Sequence, residues 1–311
     1  MSLSPDDQPE HPAPSTTPAD AVPVWGRALS PVQAERSSAD SSDQSGDSGV
    51  SLASSHPSGG QPSASLPRAL VDPPWNGWDV LAIVLLGAVA FFVFAFLAVR
   101  MTSGATFQEK TKGFVAMPER GLGVQALAEL VMLGCMYLVV AARTGGARFW
   151  QTVRWNWPVK IGLYLLIGLL MQAVALVAER FLPLPTNTPF EVVLRRPYSL
   201  IAIAIFSVTL GPLIEELLFR GFLYSLLRKH FGVLTAIIGT ALPFGLVHLA
   251  QYGYSWASGL LIFIVGVVLA TVREKANSLA AGFLVHVAYN GVIVAMLLAA
   301  TDGFRHFEKL N

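Results

Sequence analysis

From Trp75 onward the chain is a series of long apolar runs joined by short polar loops, and this pattern restricts its fold more than any other feature. A run of about 20 apolar residues can cross the roughly 30 Å hydrocarbon core of a bilayer as a helix. Seven runs approach or exceed that length: 79–100, 121–142, 159–182, 198–227, 233–251, 256–272 and 278–300. Only 13% of all residues are charged, whereas soluble domains carry about 25%. The sequence therefore predicts an all-α, multi-pass transmembrane helical bundle with about seven spans.

Residues 1–74 have a different composition, which predicts a separate region. They hold 12 of the 20 prolines, many serines, nine acidic residues, three arginines and no lysine. A segment with so little apolar surface to bury is expected to stay disordered. It has no basic stretch followed by an apolar core, so it does not resemble a cleaved signal peptide. We interpret 1–74 as a disordered, acidic, Ser/Pro-rich tail and 75–311 as the membrane domain.

Aromatic and basic residues indicate how the runs are arranged in a membrane. Aromatic residues mark the ends of the runs, as in interfacial aromatic belts, namely Trp75, Trp78, Trp150, Trp155, Trp157, Tyr252, Tyr254 and Trp256. A cytoplasmic tail would place the basic loops 143–160, 228–230 and 273–275 in the cytoplasm, where such loops are favoured. The sequence thus predicts a multi-pass protein of the cell membrane with its N-terminal tail in the cytoplasm.

Two features of composition exclude other functions. The net charge of +1 argues against a nucleic-acid partner. Cys135 is the single cysteine, so neither an intrachain disulfide nor a cysteine metal site can form. The partners we expect are therefore the lipid bilayer and a membrane-associated molecule.

Three charged residues interrupt the fourth apolar run. Each costs about 2.5–3.5 kcal/mol on insertion scales, so a simple membrane anchor would not carry them. Glu216 and Arg220 stand at i and i+4 on one helical face, in the favourable order for an ion pair. Glu215 points about 100° away and has no local partner. The spacing predicts one paired, structural carboxylate beside one carboxylate that is available for chemistry.

Further polar residues occur in the later runs. Phe244 and His248 lie in the fifth run, just after Pro243, and His286 and Asn290 lie one helical turn apart in the seventh. We expect a carboxylate, two imidazoles and an amide from three helices to converge on one cavity. That set can activate a water molecule and hold an oxyanion. Two other buried polar residues, Glu129 and Gln172, are interpreted as structural, with places in the wall of the same cavity.

Three spaced patterns are formed by these residues: Glu215-Glu216-x-x-x-Arg220, Phe244-x-x-x-His248 and His286-x-x-x-Asn290. In this order they resemble the motifs of the CAAX-protease and bacteriocin-processing (CPBP, or Abi) family of intramembrane endopeptidases, which includes the type II CAAX prenyl proteases. The resemblance covers about 160–300. It implies a transmembrane protease domain, in a family whose members frequently have an eighth span.

By this resemblance Glu215 activates the water molecule with His248 as its partner. His286 and Asn290 then stabilise the oxyanion. The implied reaction is hydrolysis of a peptide bond in a membrane protein or peptide, which can be lipidated.

The remaining motif residues, Glu216, Arg220 and Phe244, support the site by the same resemblance. Both metal-dependent and metal-free glutamate mechanisms have been described for the family. His-Glu-x-x-His is absent from the sequence, so a zinc ion would need ligands from three helices, namely Glu215, His248 and His286. We expect no cofactor and keep zinc as the alternative.

Two other functions remain open from the sequence. A proton-coupled transporter would use the same Glu and His residues as a proton relay. A non-catalytic bacteriocin-immunity or partner-binding membrane protein would not need Glu215.

Overall fold

A computed structural model describes residues 72–146, 148–186, 188–194 and 196–306. The predicted tail lies outside these ranges, except for its last three residues. Helices, turns and loops make up the described chain, and no strand occurs in it. The helices are α1 (Gly77–Met101), α2 (Phe107–Val115), α3 (Pro118–Thr144), α4 (Phe149–Thr152), α5 (Ile161–Ala178), α6 (Pro189–Leu194), α7 (Pro197–Ser207), α8 (Leu210–Glu215), a π-helix (Glu216–Leu223), α9 (Tyr224–His248), a 3-10 helix (Leu249–Tyr252), α10 (Trp256–Ala276) and α11 (Leu279–Ala300).

Six helical runs within the described ranges are long and apolar enough to cross a membrane. They are Gly77–Met101, Pro118–Thr144, Ile161–Ala178, Pro197–Tyr252, Trp256–Ala276 and Leu279–Ala300. The predicted all-α multi-pass bundle is confirmed. The short helices α2, α4 and α6 lie in the connections between the long runs.

The fourth run, Pro197–Tyr252, folds back on itself. Its 56 residues would extend about 84 Å as a straight helix, nearly three times the bilayer core. Gly232, at φ 83° and ψ 179°, breaks the helical geometry in the left-handed region that favours glycine. The rings of Phe219 and Phe244, 25 positions apart, meet edge to face at 5.3 Å. The run is therefore a hairpin whose two arms correspond to the fourth and fifth predicted spans.

Two interruptions shape the first arm of this hairpin. α7 ends at Ser207, and Thr209 has the non-helical dihedrals φ −129° and ψ −96° before α8 begins. The helix then widens into the π-helix, where the Tyr224 N–H donates to the Phe219 carbonyl, five residues back. π-helices are rare and occur mostly at functional sites. In the second arm α9 continues through Pro243, and its dihedral break lies at Gly232.

The loops that were predicted to share one side of the membrane do meet at one end of the bundle. Arg154 donates to the Asn277 side chain, and Arg228 pairs with Glu274 at 2.7 Å. The start of α1 lies at the same end, because the Trp75 indole bonds to the Phe222 carbonyl. We call this the N-terminal end of the bundle. Its cytoplasmic orientation stays a prediction.

The opposite end has its own contacts. The Arg196 guanidinium donates to the Ala116 carbonyl at 2.6 Å, and the Ser199 hydroxyl donates to Glu119 at 2.9 Å. The rings of Phe190 and Tyr252 lie 5.8 Å apart. We call this the distal end. It joins α6 and the 3-10 helix over the candidate site.

Close contacts between helices depend on glycine, as is common in membrane bundles. A Cβ atom on Gly168 of α5 would lie 2.3 Å from the Val285 carbonyl oxygen of α11. One on Gly266 of α10 would lie 3.0 Å from the Cα of Ala241 in α9. The small residues thus fix α9 and α11, the helices that carry His248 and His286.

Candidate active site

The predicted ion pair between Glu216 and Arg220 is present. Arg220 Nη1 lies 3.1 Å from Glu216 Oε1, and both side chains are fully buried. A second guanidinium nitrogen, Nη2, donates to the Gly266 carbonyl at 3.2 Å. Glu216 Oε2 and Arg220 Nε are buried without a hydrogen-bond partner. The pair therefore ties the π-helix to α10.

Phe244 lies between this ion pair and the two histidines. The Arg220 guanidinium carbon lies 4.2 Å from the centre of the Phe244 ring, within cation–π range. The same ring lies 4.9 Å from the His248 ring and 5.9 Å from the His286 ring. One buried aromatic side chain thus contacts the cation and both imidazoles.

Glu215 lies between the two histidines. Its Oε1 is 3.7 Å from His248 Nε2, and its Oε2 is 3.6 Å from His286 Nε2. Both distances are too long for a direct hydrogen bond. A quarter of the Glu215 side chain is exposed, whereas Glu216 is not exposed at all. The predicted division between a paired and an available carboxylate agrees with this geometry.

His248 ends α9, and one of its ring nitrogens is engaged with the backbone. Nδ1 lies 2.7 Å from the Phe244 carbonyl oxygen, which can only accept a hydrogen bond. Nδ1 must therefore carry the proton, and in the neutral ring Nε2 is an acceptor. This acceptor faces Glu215 Oε1, another acceptor. A donor such as water is needed between them.

His286 is nearly buried and has a carboxylate at each ring nitrogen. Nδ1 lies 3.2 Å from Glu216 Oε1, and Nε2 faces Glu215 across 3.6 Å. The imidazole is thus the link between the two adjacent glutamates. Nδ1 is thus engaged by Glu216, which does not line the cavity described below, and Nε2 is the nitrogen on the side of Glu215, which does.

Asn290 has a partner that the spacing did not predict. Its side-chain Nδ2 donates to the Ser207 carbonyl at 2.7 Å. Ser207 is the last residue of α7, where the helix leaves its final carbonyls without helical partners. Asn290 therefore caps the end of α7, and one amide hydrogen remains for a substrate.

A cavity of about 440 Å³ brings these residues together. Glu215, His248, His286 and Asn290 all line it, and so does Phe244, as expected from the sequence. Its walls also include the start of α3, α6 and the 3-10 helix, so it extends towards the distal end. Most of the remaining wall is apolar, for example Leu122, Ile203, Phe206, Ile262, Val265, Ile293 and Val294.

Glu129 and Gln172 do not line this cavity in the described structure, so that expectation was wrong. Gln125 lines it instead and donates to Glu129 Oε1 at 2.9 Å, which places the carboxylate one turn behind the wall. Gln172 is buried, and its Oε1 has no partner. A polar residue at i−4 from Glu129 was the available signal for Gln125.

The zinc alternative would draw its ligands from Glu215, His248 and His286. Among the described residues, no group of three or more His, Cys, Asp and Glu side chains has the geometry to hold a metal ion. His286 Nδ1 is engaged by Glu216, so Nε2 is the ring nitrogen of His286 on the side of Glu215.

The fold and site define a class: a helical membrane protein with a carboxylate, two histidines and an amide around a cavity within the bundle. Residues 197–292 match the family model described as type II CAAX prenyl endopeptidase Rce1-like. The matched range contains all three spaced patterns, and it confirms the resemblance to the CAAX-protease family. The match covers 197–292 of the 311 residues, which is the part of the chain that carries the candidate site. No curated protein and no solved structure matches the chain.

Proposed function

We propose that this protein is an intramembrane endopeptidase in which Glu215 and His248 activate the attacking water. The observation that carries the proposal is the position of Glu215. Among the described residues it is the one acidic residue that lines the cavity, and imidazoles from two other helices flank it. Its neighbour Glu216 is sealed in an ion pair. An available base beside a second acceptor is what general-base hydrolysis requires.

The first step is attack by water. A water molecule between Glu215 Oε1 and His248 Nε2 donates one hydrogen to each acceptor and directs a lone pair into the cavity. As its oxygen bonds to the carbonyl carbon of the substrate, Glu215 takes the proton. The carbonyl π-electrons move to the oxygen, which becomes the oxyanion of a tetrahedral intermediate.

The second step is collapse of that intermediate. The free amide hydrogen of Asn290 donates to the oxyanion. His286 adds a second donor through Nε2–H when both of its ring nitrogens carry a proton, while Nδ1–H stays on Glu216 Oε1. The C–N bond then breaks, and Glu215 returns its proton to the amine that leaves. The products are a carboxylic acid and an amine, with no net change in the enzyme.

The substrate we propose is a membrane protein or peptide, which can carry a prenyl group. Two observations support this class of substrate. The matching family model is described as a CAAX prenyl endopeptidase, and the cavity wall is largely apolar within a membrane bundle. An apolar wall accepts hydrocarbon or apolar side chains without leaving buried polar groups unpaired.

The test is Glu215→Gln, which keeps the shape of the side chain and removes its basicity. Turnover is measured with the purified protein and a fluorescence-quenched farnesylated peptide that ends in a CAAX sequence. Cleavage of natural substrates is measured as new protein termini in membranes of the host. We expect Glu215→Gln to lose at least 100-fold in turnover, as for removal of a general base, while Asp302→Asn, an exposed carboxylate, retains activity. Cleavage by Glu215→Gln at the wild-type rate would refute the assignment. Loss of turnover on treatment with a chelator would show that a metal is needed.

A further inference from the structure

Trp75, just before α1, is buried in the bundle instead of lying in an aromatic belt. Only 3% of its surface is exposed, whereas Trp78, in the first turn of the same helix, is 78% exposed. A buried indole needs an acceptor for its N–H group. Trp75 Nε1 donates to the Phe222 carbonyl at 3.1 Å, and its ring stacks on the Phe222 ring at 4.2 Å. Both contacts fall on one residue of the π-helix.

The π-helix needs contacts from outside because its own geometry is unfavourable. Its hydrogen bonds span five residues instead of four, which is seldom maintained without a structural reason. Relaxation to an α-helix would change the rotation of Glu216 and Arg220 relative to the helix that follows. On one face, the segment is tied to α10 by the bond from Arg220 to Gly266. On the other, Trp75 is bonded to Phe222, two residues further along.

A continuous set of contacts leads from the Trp75–Phe222 pair to His286 in the candidate active site. Phe222 follows Arg220 by two residues, and Arg220 pairs with Glu216. Glu216 Oε1 in turn accepts a hydrogen bond from His286 Nδ1 at 3.2 Å. Trp75 itself does not line the cavity, and neither does any residue of the hydrophobic cluster in which it is buried. An effect of Trp75 on catalysis would therefore be indirect, and the contacts with Phe222 connect it to the π-helix.

We propose that Trp75 is a positioning residue that holds the π-helix in the register required for catalysis, through its indole N–H and its stacked ring. The effect of Trp75 on catalysis rests on the proposed endopeptidase function. The effect of Trp75 on the geometry of the π-helix does not depend on that function. Trp75 acts on the ion pair between Glu216 and Arg220 and, through it, on His286.

The first experiment measures the π-helix without any substrate. Trp75→Phe keeps an aromatic ring and removes the N–H donor, and Trp78→Phe is the matched control on the exposed face of the same helix. Amide hydrogen exchange of residues 216–224 is compared in the full chain. We expect Trp75→Phe to speed exchange there about three- to tenfold, the equivalent of one hydrogen bond, and Trp78→Phe to match wild type. Unchanged exchange in Trp75→Phe would overturn the proposal.

The second experiment separates positioning from loss of fold. With the farnesylated CAAX peptide, kcat of Trp75→Phe should fall about three- to tenfold, with KM within twofold of wild type. An effect on KM alone, or an equal loss in Trp78→Phe, would contradict a positioning role. If wild type cleaves no peptide, the endopeptidase function fails, and the exchange measurement alone decides whether Trp75 holds the π-helix.

Discussion

Glu215 and Glu216 are adjacent in the chain yet have opposite environments. Glu216 is fully buried and paired with Arg220, while Glu215 is partly exposed to the cavity and faces two imidazoles. Charges withdrawn from water need a partner of opposite charge, because desolvation otherwise exceeds any local gain. Arg220 supplies that partner for one carboxylate only. The second carboxylate is the one to which we assign proton transfer.

Arg220→Ala tests the structural part of this arrangement. The substitution leaves Glu216 as an unpaired buried carboxylate, which typically costs about 3–5 kcal/mol, and it removes the contact with the Phe244 ring. We expect a large fall in the thermal unfolding temperature in detergent together with lost activity. The control is Arg143→Ala, whose ion pair with Asp79 is partly exposed and should contribute about 0–1 kcal/mol. A stable, folded and inactive Arg220→Ala would assign Arg220 to the chemistry instead.

Substitutions of Asn290 test its proposed role as a hydrogen-bond donor to the oxyanion. Asn290→Ala removes a donor that typically contributes about 10²–10³ in rate, and it leaves the Ser207 carbonyl without that partner. Asn290→Asp should be slower still, because a carboxylate repels the developing negative charge. Single-turnover rates measured on folded protein show which of the two variants is slower. A proton-relay transporter predicts the reverse order, since Asp can carry a proton and Ala cannot, so a faster Asn290→Asp would argue against the peptidase.

At the scale of elements, the site depends on how closely the π-helix approaches α11. Gly282 of α11 lies against Glu216, and a Cβ atom there would be 2.7 Å from Oε2. This oxygen has no hydrogen-bond partner among the described residues. The absence of a side chain at position 282 is therefore what lets the carboxylate reach both Arg220 and His286.

Gly282→Ala should displace Glu216 and weaken both of its contacts. We expect a loss of about 1–3 kcal/mol in stability, as for overpacking of a core, and a fall in turnover. Gly291→Ala on the same helix is the matched control, because nothing lies within 4 Å of its added Cβ atom. That change should leave stability equal or raise it by up to about 1 kcal/mol. The thermal unfolding temperatures of the two variants are compared in detergent. Equal stability of Gly282→Ala and Gly291→Ala would contradict the close contact between Gly282 and Glu216.

The spacing of residues along a helix predicted the ion pair of the site but could not predict the π-helix or the long-range hydrogen bonds. The i, i+4 rule correctly paired Glu216 with Arg220, because that contact lies within one turn. The π-helix could not be read from the sequence, since its widened turn is held by α10 and Trp75, which are remote in the chain. The bond from Asn290 to Ser207 depends on where α7 breaks. Local patterns do not determine such long-range contacts.

At the scale of the whole molecule, the apolar runs correctly predicted the helical bundle. The aromatic residues at the ends of the runs predicted positions at the membrane interface, and this was correct for only some of them. Trp78, Trp157 and Tyr254 are exposed, as belt residues should be, whereas Trp75 is buried in the protein. Composition cannot distinguish these cases, because an indole suits both an interface and a buried site with an acceptor. The grouping of the basic loops at one end was correct, since alternate loops of a multi-pass bundle must lie on the same side.

Residues 1–71 are predicted to be dispensable for catalysis. A chain that begins at Asp72 keeps Trp75 and the ion pair of Asp72 with Lys229 at 3.9 Å. We expect it to insert in the membrane and to cleave the farnesylated peptide at the wild-type rate. A chain that begins at Trp78 should insert and turn over more slowly, because it lacks the indole of Trp75. An inserted but inactive chain beginning at Asp72 would assign the tail a role in regulation or substrate recruitment.

The position of His286 and Asn290 on α11 has a consequence for biosynthesis. Glu215 and His248 belong to the hairpin Pro197–Tyr252, whereas the other two residues leave the ribosome only after α10 has been made. A nascent chain thus carries two of the four proposed site residues before α10 and gains the other two with the last of the described spans. Under the proposed mechanism, hydrolysis would therefore begin only after α11 has been made.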